Sequence, residues 1–561
     1  MISSIDPEKC TGCGTCFKSC PLDVFRLNTE QPEISPCTHA CPAGTDIRAC
    51  HYLIQQGRTE DALAVLKRTM PLPAVTGRVC FHPCERACTR KDVDEALNIN
   101  ALEQFLGDLD LSLPATPFPQ RHLSRVAVVG SGPTGLAAAW YLAEAGYHAT
   151  VFESMPEPGG MLRYGIPAYR LPDEVMEQQI RKVQDAGVEF VCSRKLGGKN
   201  WLAELKAEGF RAVVLAVGAS EGRLPGVPGE EAPGVMTGLD FLRALRSDEA
   251  PPAQVGPGRR VLVVGGGDVA MDAAISARRM GAASVELVCL EAEEALPAFP
   301  HNVAEAKALG IPVHGSWGPV AVCVNPDGAV AGLECRRCLS VYDNDGHFAP
   351  VFADTPEGSF RFEADAVIFA IGQCSDLEPF AGTLSMESGR ISVNPETLES
   401  SCEGVFAAGD VVSGPASVCA AVAAGRRAAV SVDRFLSGAE LHRPEPQHPV
   451  ADNMLLRLDP EKLVRLPRKE RPRTGTEGFA EHRKGLFLDA ALAEAGRCLT
   501  CGGRAFPAYT DDCMTCYTCE VHCPAAAIAV HPFKERLPRT LDTVRQENAY
   551  AVTQRVEEKT V

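Results

Sequence analysis

The chain has 561 residues, of which 45% are hydrophobic, and it carries a formal net charge of -17 at pH 7. The negative charge argues against nucleic acid as a partner, and the absence of any run of about 18 apolar residues predicts that no segment spans a membrane. The length predicts three or four domains of about 100 to 200 residues each, and because the opening MISSIDPEKC lacks the apolar stretch of a signal peptide, we expect a cytoplasmic protein.

A cysteine motif near the start of the chain recurs near its end. The motif is C-x2-C-x2-C-x3-C-P, and its two copies comprise Cys10, Cys13, Cys16 and Cys20 before Pro21, and Cys513, Cys516, Cys519 and Cys523 before Pro524. Bacterial ferredoxins hold a [4Fe-4S] cluster with this run. Zinc and disulfides are the alternatives, but zinc needs two pairs or a closed set of four ligands. The motif therefore predicts a protein that moves electrons.

A dinucleotide-binding unit is predicted from residue 125 to residue 154, which read as strand, glycine turn, helix and strand. Gly130, Gly132 and Gly135 occupy a G-x-G-x-x-G pattern that includes Pro133, and Glu153 ends the second strand about 20 residues on. In such a unit the glycines allow the turn, the approach of a pyrophosphate and close helix packing, and the acid accepts from a ribose hydroxyl. Accidental glycines are the alternative, which the agreement of strand, helix and acid disfavours.

A second unit of the same kind begins near residue 260. Two such units imply two dinucleotides, and the usual pairing of FAD in the first with NAD(H) in the second lets a hydride pass from one ring to the other. The residues assigned to this nicotinamide site are Gly265, Gly267, Asp268, Val269, Ala270 and Glu291.

Apolar strand segments with glycine-rich ends lie at Val213 to Ala219, at Ala366 to Gln373 and around Val405. The last of them is followed by a helix start, at Pro415 to Ser417, that could face the flavin, although an ordinary strand-to-helix turn is the alternative. The residues of these segments assigned to cofactor binding are Gly218, Gly372, Gly409, Asp410, Ala416 and Ser417.

The chain resembles the small, flavin-bearing subunit of bacterial glutamate synthase, the large subunit of NADH-dependent ferredoxin:NADP oxidoreductases and the flavin half of dihydropyrimidine dehydrogenase. The matching stretches lie within residues 35 to 505 and are CPAGTDI, LPAVTGRVCFHPCERAC, GSGPTGLAAAWYLAEAG, PGGMLRYGIPAYRLP, GGGDVAMDAA and VFAAGDVVSGPASVCAAVAAGR. The resemblance implies an α/β fold with two Rossmann-like, glutathione reductase-like domains for FAD and NAD, a helical iron-sulfur domain and a ferredoxin-like module. It also implies that Asp410 binds the ribityl side of the flavin, which would be bordered by Gly160, Met161, Leu162 and Ile166 to Arg170.

The resemblance further implies that the helical domain carries two more clusters. One matches directly as Cys80, Cys84 and Cys88, and three thiolates leave a cube one ligand short. In the family a carboxylate or amide on the helix just downstream can complete the set, and INALEQF places Glu103 there. A solvated surface glutamate is the alternative.

The other helical-domain cluster is predicted from both ends of the chain. Relatives carry an RC-x2-CG pair shortly before C-x3-CP, but here the two parts are far apart in sequence. The expected ligands are Cys37, Cys41, Cys498 and Cys501. A zinc ribbon made by Cys498 and Cys501 with Cys513 and Cys516 is the alternative.

Because the fourth cysteine of each motif in two-cluster ferredoxins ligates the other cube, we expect the two terminal motifs to form one module. Cys10, Cys13, Cys16 and Cys523 would hold one cube, and Cys20, Cys513, Cys516 and Cys519 the other. Two self-contained loops, or pairing across a homodimer, are the alternatives.

Nine cysteines receive no ligand role, Cys419 among them. Cys335 and Cys338 form a C-x2-C that we interpret as buried structural thiols, with a redox disulfide as the alternative. The basic stretch Arg465 to Arg473 is interpreted as a solvated linker, with docking of an acidic ferredoxin as the alternative.

The predicted division begins with a ferredoxin-like half at 1–30 and a helical iron-sulfur domain at 31–115. An FAD-binding domain follows at 122–222 and 365–440, with an NAD-binding domain inserted at 223–364. The rest is a linker at 441–490, an iron-sulfur segment completing the helical domain at 491–510, a second ferredoxin-like half at 511–535 and a tail at 536–561.

The expected function is an NAD(H)-dependent iron-sulfur flavoprotein oxidoreductase. It would pass electrons between NADH, FAD and four [4Fe-4S] clusters to or from a partner oxidoreductase or a ferredoxin, in a homo- or hetero-oligomer. No catalytic acid or base is assigned, because hydride transfer depends on stacking, orientation and exclusion of water. The alternatives are a glutamate synthase small subunit with its large partner and a non-catalytic polyferredoxin scaffold. NADH is expected over NADPH, because Leu290 and Glu291 stand where NADPH-using relatives carry two arginines.

Overall fold

The computed structural model describes residues 1–22, 24–247, 252–354, 358–442, 448–473 and 478–531. The predicted tail at 536–561 lies outside these residues. Among the helices of the described residues, none is both long and apolar enough to cross a bilayer.

The first dinucleotide domain is built on a five-stranded parallel sheet. Its buried centre is the predicted strand Arg125–Val129, whose four valine and alanine side chains are at most 5% exposed. In spatial order the strands are Val405–Ala407, Phe210–Leu215, Arg125–Val129, His148–Phe152 and Glu189–Val191. The helices of this domain are Pro133–Ala145, Met161–Tyr164, Asp173–Asp185, Trp201–Ala207, Asp410–Ser413 and Val418–Ser437.

The second dinucleotide domain has its own five-stranded parallel sheet. In spatial order the strands are Val313–His314, Ser284–Val288, Arg260–Val264, Ala366–Phe369 and Val235–Thr237. Its helices are Gly238–Arg246, Asp268–Arg279 and Pro300–Ala308.

One predicted domain boundary is wrong. The strand Ala366–Phe369 was assigned to the FAD-binding domain, but it pairs in parallel with Arg260–Val264 in the second sheet. The chain returns to the first domain only after this strand, through the short antiparallel pair of Gln373–Cys374 with Glu221–Gly222. A fully buried strand of four apolar residues fits either sheet equally well, so its own sequence does not reveal its partner.

An antiparallel sheet covers one side of the second domain. Its strands are Trp317–Val324, Val330–Tyr342, Phe348–Phe352 and Ser359–Glu363. Cys335 and Cys338 lie three residues apart in its longest strand, so their side chains leave opposite faces. Both thiols are buried and free, which agrees with structural thiols and not with a disulfide between them.

The cysteine-rich helical domain is held together by close helix contacts. Its helices are Pro36–Ala40, Ile47–Gln55, Thr59–Lys67, Pro73–Val79, Pro83–Arg86, Ile99–Ser112 and Leu488–Ala495. A Cβ on Gly77 would lie 2.5 Å from the backbone nitrogen of Gln104, and one on Gly107 would lie 2.5 Å from that of Ala74. Two helices therefore cross at glycines, which brings the Cys80 end of one beside Glu103 of the other.

The basic stretch is not a solvated linker. Arg468 forms a 3.0 Å ion pair with Glu85 of the helical domain. Arg471 donates to the side chains of Gln104 at 2.8 Å and Asn100 at 2.9 Å, and burial lowers its pKa to about 10. These two arginines hold the returning chain onto the helical domain and are not free to dock a ferredoxin.

The two ends of the chain form one ferredoxin-like module. The strand Ile2–Ile5 pairs antiparallel with Ile528–Val530, and Phe25–Asn28 pairs antiparallel with Arg504–Pro507. The short helices Thr15–Ser19 and Thr518–His522 pack on each other. Residues 504–507 were assigned to the helical domain, but their pairing places them in this module.

Candidate flavin, nicotinamide and iron-sulfur sites

The first glycine turn has the shape of a pyrophosphate site. Gly130 has a φ of 102°, and a Cβ there would collide with the carbonyl oxygen of Ala216. Gly135 packs so closely that a Cβ would collide with the carbonyl oxygen of Gly130. In contrast, no atom lies within 4 Å of where a Cβ of Gly132 would be. This open space, at the N-terminus of the helix that Pro133 begins, is where a pyrophosphate fits.

Glu153 is held at the edge of this turn. Its Oε2 accepts from the backbone nitrogen of Ser131 at 3.0 Å and from the Ser131 hydroxyl at 2.5 Å, and its Oε1 accepts from the backbone nitrogen of Met155 at 2.8 Å. The carboxylate is therefore fixed where a ribose joined to the pyrophosphate would lie. Sequence reasoning missed Ser131, because the variable position of the glycine pattern carries no signal.

The segment after Glu153 folds over the glycine turn. Gly160 has a φ of 51°, and a Cβ there would be 2.7 Å from the Cα of Gly132. Met161 and Ile166 are half-buried beside this contact. Leu162 is fully buried, so it packs this segment onto the hydrophobic core of the domain.

Arg170 connects the two dinucleotide domains. Its Nη1 donates to the Oδ2 of Asp272 at 2.6 Å, and the hydroxyl of Tyr169 donates to the other oxygen at 3.2 Å. Asp272 belongs to the helix that follows the second glycine turn. The arginine predicted to border the flavin thus has its guanidinium committed to an ion pair with the NAD-binding domain.

Asp410 lies opposite the first glycine turn. Gly409, with a φ of 77°, packs against the side chain of Thr134, and the Oδ1 of Asp410 accepts from the backbone nitrogen of Ala416 at 3.2 Å. Burial raises the pKa of Asp410 to about 6. The Ser417 hydroxyl caps the next helix by accepting from the backbone nitrogen of Ala420 at 3.1 Å. The first glycine turn and the segment around Asp410, which are both predicted to contact the flavin, therefore lie next to each other.

Gly218 and Gly372 lie where the chain crosses between the two sheets. Both have positive φ, 69° and 121°. The Ser375 hydroxyl donates to the carbonyl of Gly218 at 2.6 Å, and the backbone nitrogen of Arg223 donates to the carbonyl of Gly372 at 3.1 Å. These glycines shape the connection between the domains.

The second glycine turn repeats the geometry of the first. A Cβ on Gly265 would collide with the carbonyl oxygen of Ala370, while the space beside Gly267 is open and Ala270 is fully buried. The Oε2 of Glu291 lies only 2.8 Å from where a Cβ of Gly266 would be, so this carboxylate overhangs the turn.

Asp268 begins the helix at the second turn and is followed by the half-buried Val269. Its Oδ1 accepts from the backbone nitrogen of Phe299 at 3.1 Å and from the Asn302 amide at 2.7 Å. The carboxylate of Asp268 therefore anchors a neighbouring segment of the domain.

The sixteen predicted cluster ligands line four cavities, four to each. The flavin-side cavity is lined by Cys41, Cys80, Cys84 and Glu103. The bridging cavity is lined by Cys37, Cys88, Cys498 and Cys501. The inner ferredoxin cavity is lined by Cys10, Cys13, Cys16 and Cys523. The outer ferredoxin cavity is lined by Cys20, Cys513, Cys516 and Cys519.

Two cysteines of the helical domain are exchanged relative to the sequence prediction. Cys41 was grouped with Cys37, and Cys88 with Cys80 and Cys84, but the structure puts each in the other cavity. Cys37 lies near the start of the short helix Pro36–Ala40 and Cys41 follows its end, and each of them lines a different cavity. The sequence held a signal for this exchange: Cys41 precedes a proline, and the proline-linked cysteine of a ferredoxin run ligates the other cube.

The zinc-ribbon alternative is also wrong, because its four cysteines line two different cavities. Cys498 and Cys501 line the bridging cavity, whereas Cys513 and Cys516 line the outer ferredoxin cavity. The two pairs therefore do not form one set of four ligands.

Four of the cavity thiols accept a hydrogen bond from a backbone N–H group, a contact that tunes iron-sulfur ligands. Backbone nitrogens donate to the sulfurs of Cys10 at 3.5 Å, Cys80 at 3.3 Å, Cys498 at 3.4 Å and Cys523 at 3.3 Å. Burial raises the pKa of Cys498 to about 12, so binding of a metal must supply the free energy that deprotonates such thiols.

Glu103 faces the flavin-side cavity and is not a solvated surface residue. Its Oε1 accepts from the Thr76 hydroxyl at 2.5 Å, and burial raises its pKa to about 7. The Asn100 side chain is a second hydrogen-bond partner of this carboxyl group, which lines the same cavity as the thiols of Cys41, Cys80 and Cys84.

Three family models match the chain. The pyridine nucleotide-disulphide oxidoreductase model covers residues 124–425, the model of dihydropyrimidine dehydrogenase domain II with its 4Fe-4S cluster covers residues 30–113, and the 4Fe-4S binding domain model covers residues 4–26. FAD, a pyridine nucleotide and 4Fe-4S clusters are thus the cofactors of these regions.

Curated relatives extend over most of the chain. The NADP(+)-dependent formate dehydrogenase subunit beta of Moorella thermoacetica is 37% identical, over 84% of this chain and 71% of the relative. The NAD-dependent dihydropyrimidine dehydrogenase subunit PreT of Salmonella typhimurium is 33% identical, over 72% and 92%. The glutamate synthase (NADPH) small chain of Mycobacterium tuberculosis is 33% identical, over 74% and 88%. The resemblance predicted from the sequence is confirmed.

Among solved structures, FprA from Mycobacterium tuberculosis matches with a TM-score of 0.50 and 18% identity, over 67% of this chain and 100% of that one. This likeness supports the predicted α/β fold, which the two parallel sheets confirm. The chain therefore belongs to the pyridine nucleotide-disulphide oxidoreductase family, as an iron-sulfur flavoprotein member that is an FAD-dependent oxidoreductase.

Proposed function

We propose that this chain carries four [4Fe-4S] clusters, one in each cavity, and passes electrons between NADH at the second glycine turn and a redox partner at the ferredoxin-like module. One observation carries the proposal: the sixteen predicted ligands fall into four cavities of four, with none shared and none left over. When bound, FAD exchanges electrons in pairs with a nicotinamide and each cube exchanges them singly, so together they convert a two-electron donor into one-electron carriers.

The four cavities follow one another through direct contacts. His51 and Ile99 line both the flavin-side and the bridging cavities. Between the bridging and inner ferredoxin cavities, the Lys18 ammonium group donates to the carbonyl of Cys498 at 2.8 Å, and the hydroxyl of Thr500, which lies between Cys498 and Cys501, donates to the carbonyl of Gly12 in the inner cavity. The helices Thr15–Ser19 and Thr518–His522, which carry Cys16 of the inner and Cys519 of the outer ferredoxin cavity, pack on each other. The proposed order from flavin to surface is therefore flavin-side, bridging, inner ferredoxin and outer ferredoxin.

The outer ferredoxin cavity supports a partner at this end. Cys516 is exposed, and Leu22, Met514 and Val521 beside it are 41%, 56% and 60% exposed. A partner subunit or a ferredoxin must approach a cluster closely to exchange electrons with it, and a cluster held by exposed residues allows that approach. One relative is itself named as a subunit beta. Anaerobic co-purification from the native host would identify the partner.

The ligand sets predict which single-cysteine variants perturb the same cluster. Cys41→Ser is expected to perturb the same electron paramagnetic resonance signal as Cys80→Ser, and Cys88→Ser the same signal as Cys37→Ser, each lowering iron content by up to about four atoms per chain. Cys335→Ser is the matched control, because its thiol is buried in the antiparallel sheet. If Cys41→Ser and Cys37→Ser perturb one common signal instead, the ligand sets are wrong.

We further propose NADH as the nicotinamide. The carboxylate of Glu291 overhangs the second glycine turn, where it would accept from a ribose 2′-hydroxyl and repel a 2′-phosphate. A repulsion of about 1.4 kcal/mol already gives a tenfold preference, so kcat/KM should favour NADH by at least about tenfold. Glu291→Arg should narrow this gap, and Glu293→Arg nearby serves as a charge-matched control. Equal or better kcat/KM with NADPH in the natural chain would contradict the assignment.

A further inference from the structure

Cys419 is a buried thiol that the four ligand sets do not use. It is the second residue of the helix Val418–Ser437, is 2% exposed and lines the flavin-side cavity. Its thiol lines this cavity together with the thiols of Cys41 and Cys80, and both of them lie within its hydrogen-bonding reach. Together with Cys50, which also lines it, the cavity therefore contains two thiols beyond the predicted ligands Cys41, Cys80, Cys84 and Glu103.

The position of this thiol does not suit a fourth ligand. The four ligands of a cube bind four separate irons at separate corners, so a ligand sulfur does not rest against two others. Glu103, held by Thr76 at 2.5 Å, already faces the cavity with Cys84. A sulfur that touches two ligand sulfurs is placed to donate a hydrogen bond to them.

We propose that the S–H group of Cys419 donates a hydrogen bond to the ligand sulfurs of Cys41 and Cys80 and thereby raises the reduction potential of the flavin-side cluster. A cube gains negative charge when it is reduced, so a donor directed at its ligand sulfurs stabilises the reduced state more than the oxidised one. This inference rests on the proposed function, because it requires a cube in the flavin-side cavity.

The same helix start connects this thiol with the flavin site. Ser417 caps the helix, and Ala416 donates its backbone N–H to Asp410 at 3.2 Å. Cys419 is thus two residues after Ser417, which is predicted to contact the flavin, and it touches the ligands of the first cluster in the proposed order. A higher potential at that cluster favours departure of an electron from the flavin side.

The test is a potentiometric titration of the full-length chain, followed by electron paramagnetic resonance. In Cys419→Val the ratio of reduced to oxidised flavin-side cluster at a fixed potential should fall about threefold, which is about 28 mV at 59 mV per tenfold change. Cys419→Ser keeps a donor and should return the potential toward the natural value. Cys50→Val is the matched control, because Cys50 lines the same cavity but donates to the carbonyl of Ala62 at 3.6 Å.

Iron content separates this inference from the proposed function. About sixteen irons in both the natural chain and Cys419→Val, together with the lowered potential, would support the donor role. An unchanged potential would overturn it, and so would the loss of about four irons in Cys419→Val, which would make Cys419 a ligand. About twelve irons in the natural chain, with no flavin-side signal, would refute the cluster itself and the inference with it.

Discussion

Deleting residues 506–561 is expected to remove two clusters at once, lowering iron from about sixteen to about eight atoms per chain. Both ferredoxin cavities need cysteines from both ends of the chain: Cys523 completes the inner one, and Cys20 belongs to the outer one. The deletion also removes the strand that pairs with Ile2–Ile5. Iron analysis and electron paramagnetic resonance of the shortened chain provide the measurement, with flavin content and reduction of the flavin by NADH expected to persist.

Point variants provide the control for this deletion. Cys523→Ser should perturb only the cluster that Cys13→Ser also perturbs, and Cys20→Ser only the one that Cys516→Ser perturbs, because the two runs exchange their last cysteines. Loss of about four irons on deletion, with the N-terminal cluster intact, would show that the N-terminal motif binds its cube alone.

Gly132→Val is expected to give a folded chain that binds FAD at least about a hundredfold more weakly, a loss of about 2.8 kcal/mol. Gly132 has a φ of -66°, which valine adopts, and no atom lies within 4 Å of its Cβ position. The added side chain would instead fill the space in which the backbone approaches the pyrophosphate. Flavin stoichiometry by absorption, with circular dichroism to confirm folding, measures the result.

Gly267→Val is the matched control at the second glycine turn. Its φ of -90° and open surroundings resemble those of Gly132. This variant should keep its flavin but lose reduction by NADH, while dithionite still bleaches the flavin. If Gly132→Val retains a full complement of FAD, or Gly267→Val loses it, the assignment of the two turns is incorrect.

The features predicted best from the sequence are those in which local spacing determines geometry. Gly130 and Gly135 permit contacts with neighbouring backbone that any Cβ would block, so this fold requires glycine at both positions of the G-x-G-x-x-G pattern. The ferredoxin runs likewise require partners, and the exchange of Cys20 and Cys523 between the two cavities follows from that chemistry.

The features that the sequence did not predict depend on contacts between distant segments. The strand Ala366–Phe369 is apolar enough for either parallel sheet, and only its pairing with Arg260–Val264 shows which sheet contains it. Arg471 looks solvated in a run of charged residues, yet it is half-buried and donates hydrogen bonds to Asn100 and Gln104. Cys419 carries no spacing signal, because its relation to Cys41 and Cys80 arises only in the folded chain.

Electron uptake from NADH tests the central claim most directly. Anaerobic titration of the purified chain with NADH would be followed by flavin absorption and electron paramagnetic resonance. A flavin alone accepts about two electrons, and four cubes add about four more. The proposed function predicts uptake beyond two electrons per chain, with signals of reduced clusters that include those missing after deletion of residues 506–561. Uptake that stops at two electrons, with every cluster still oxidised although dithionite reduces them, would contradict transfer from the nicotinamide site to the ferredoxin-like module.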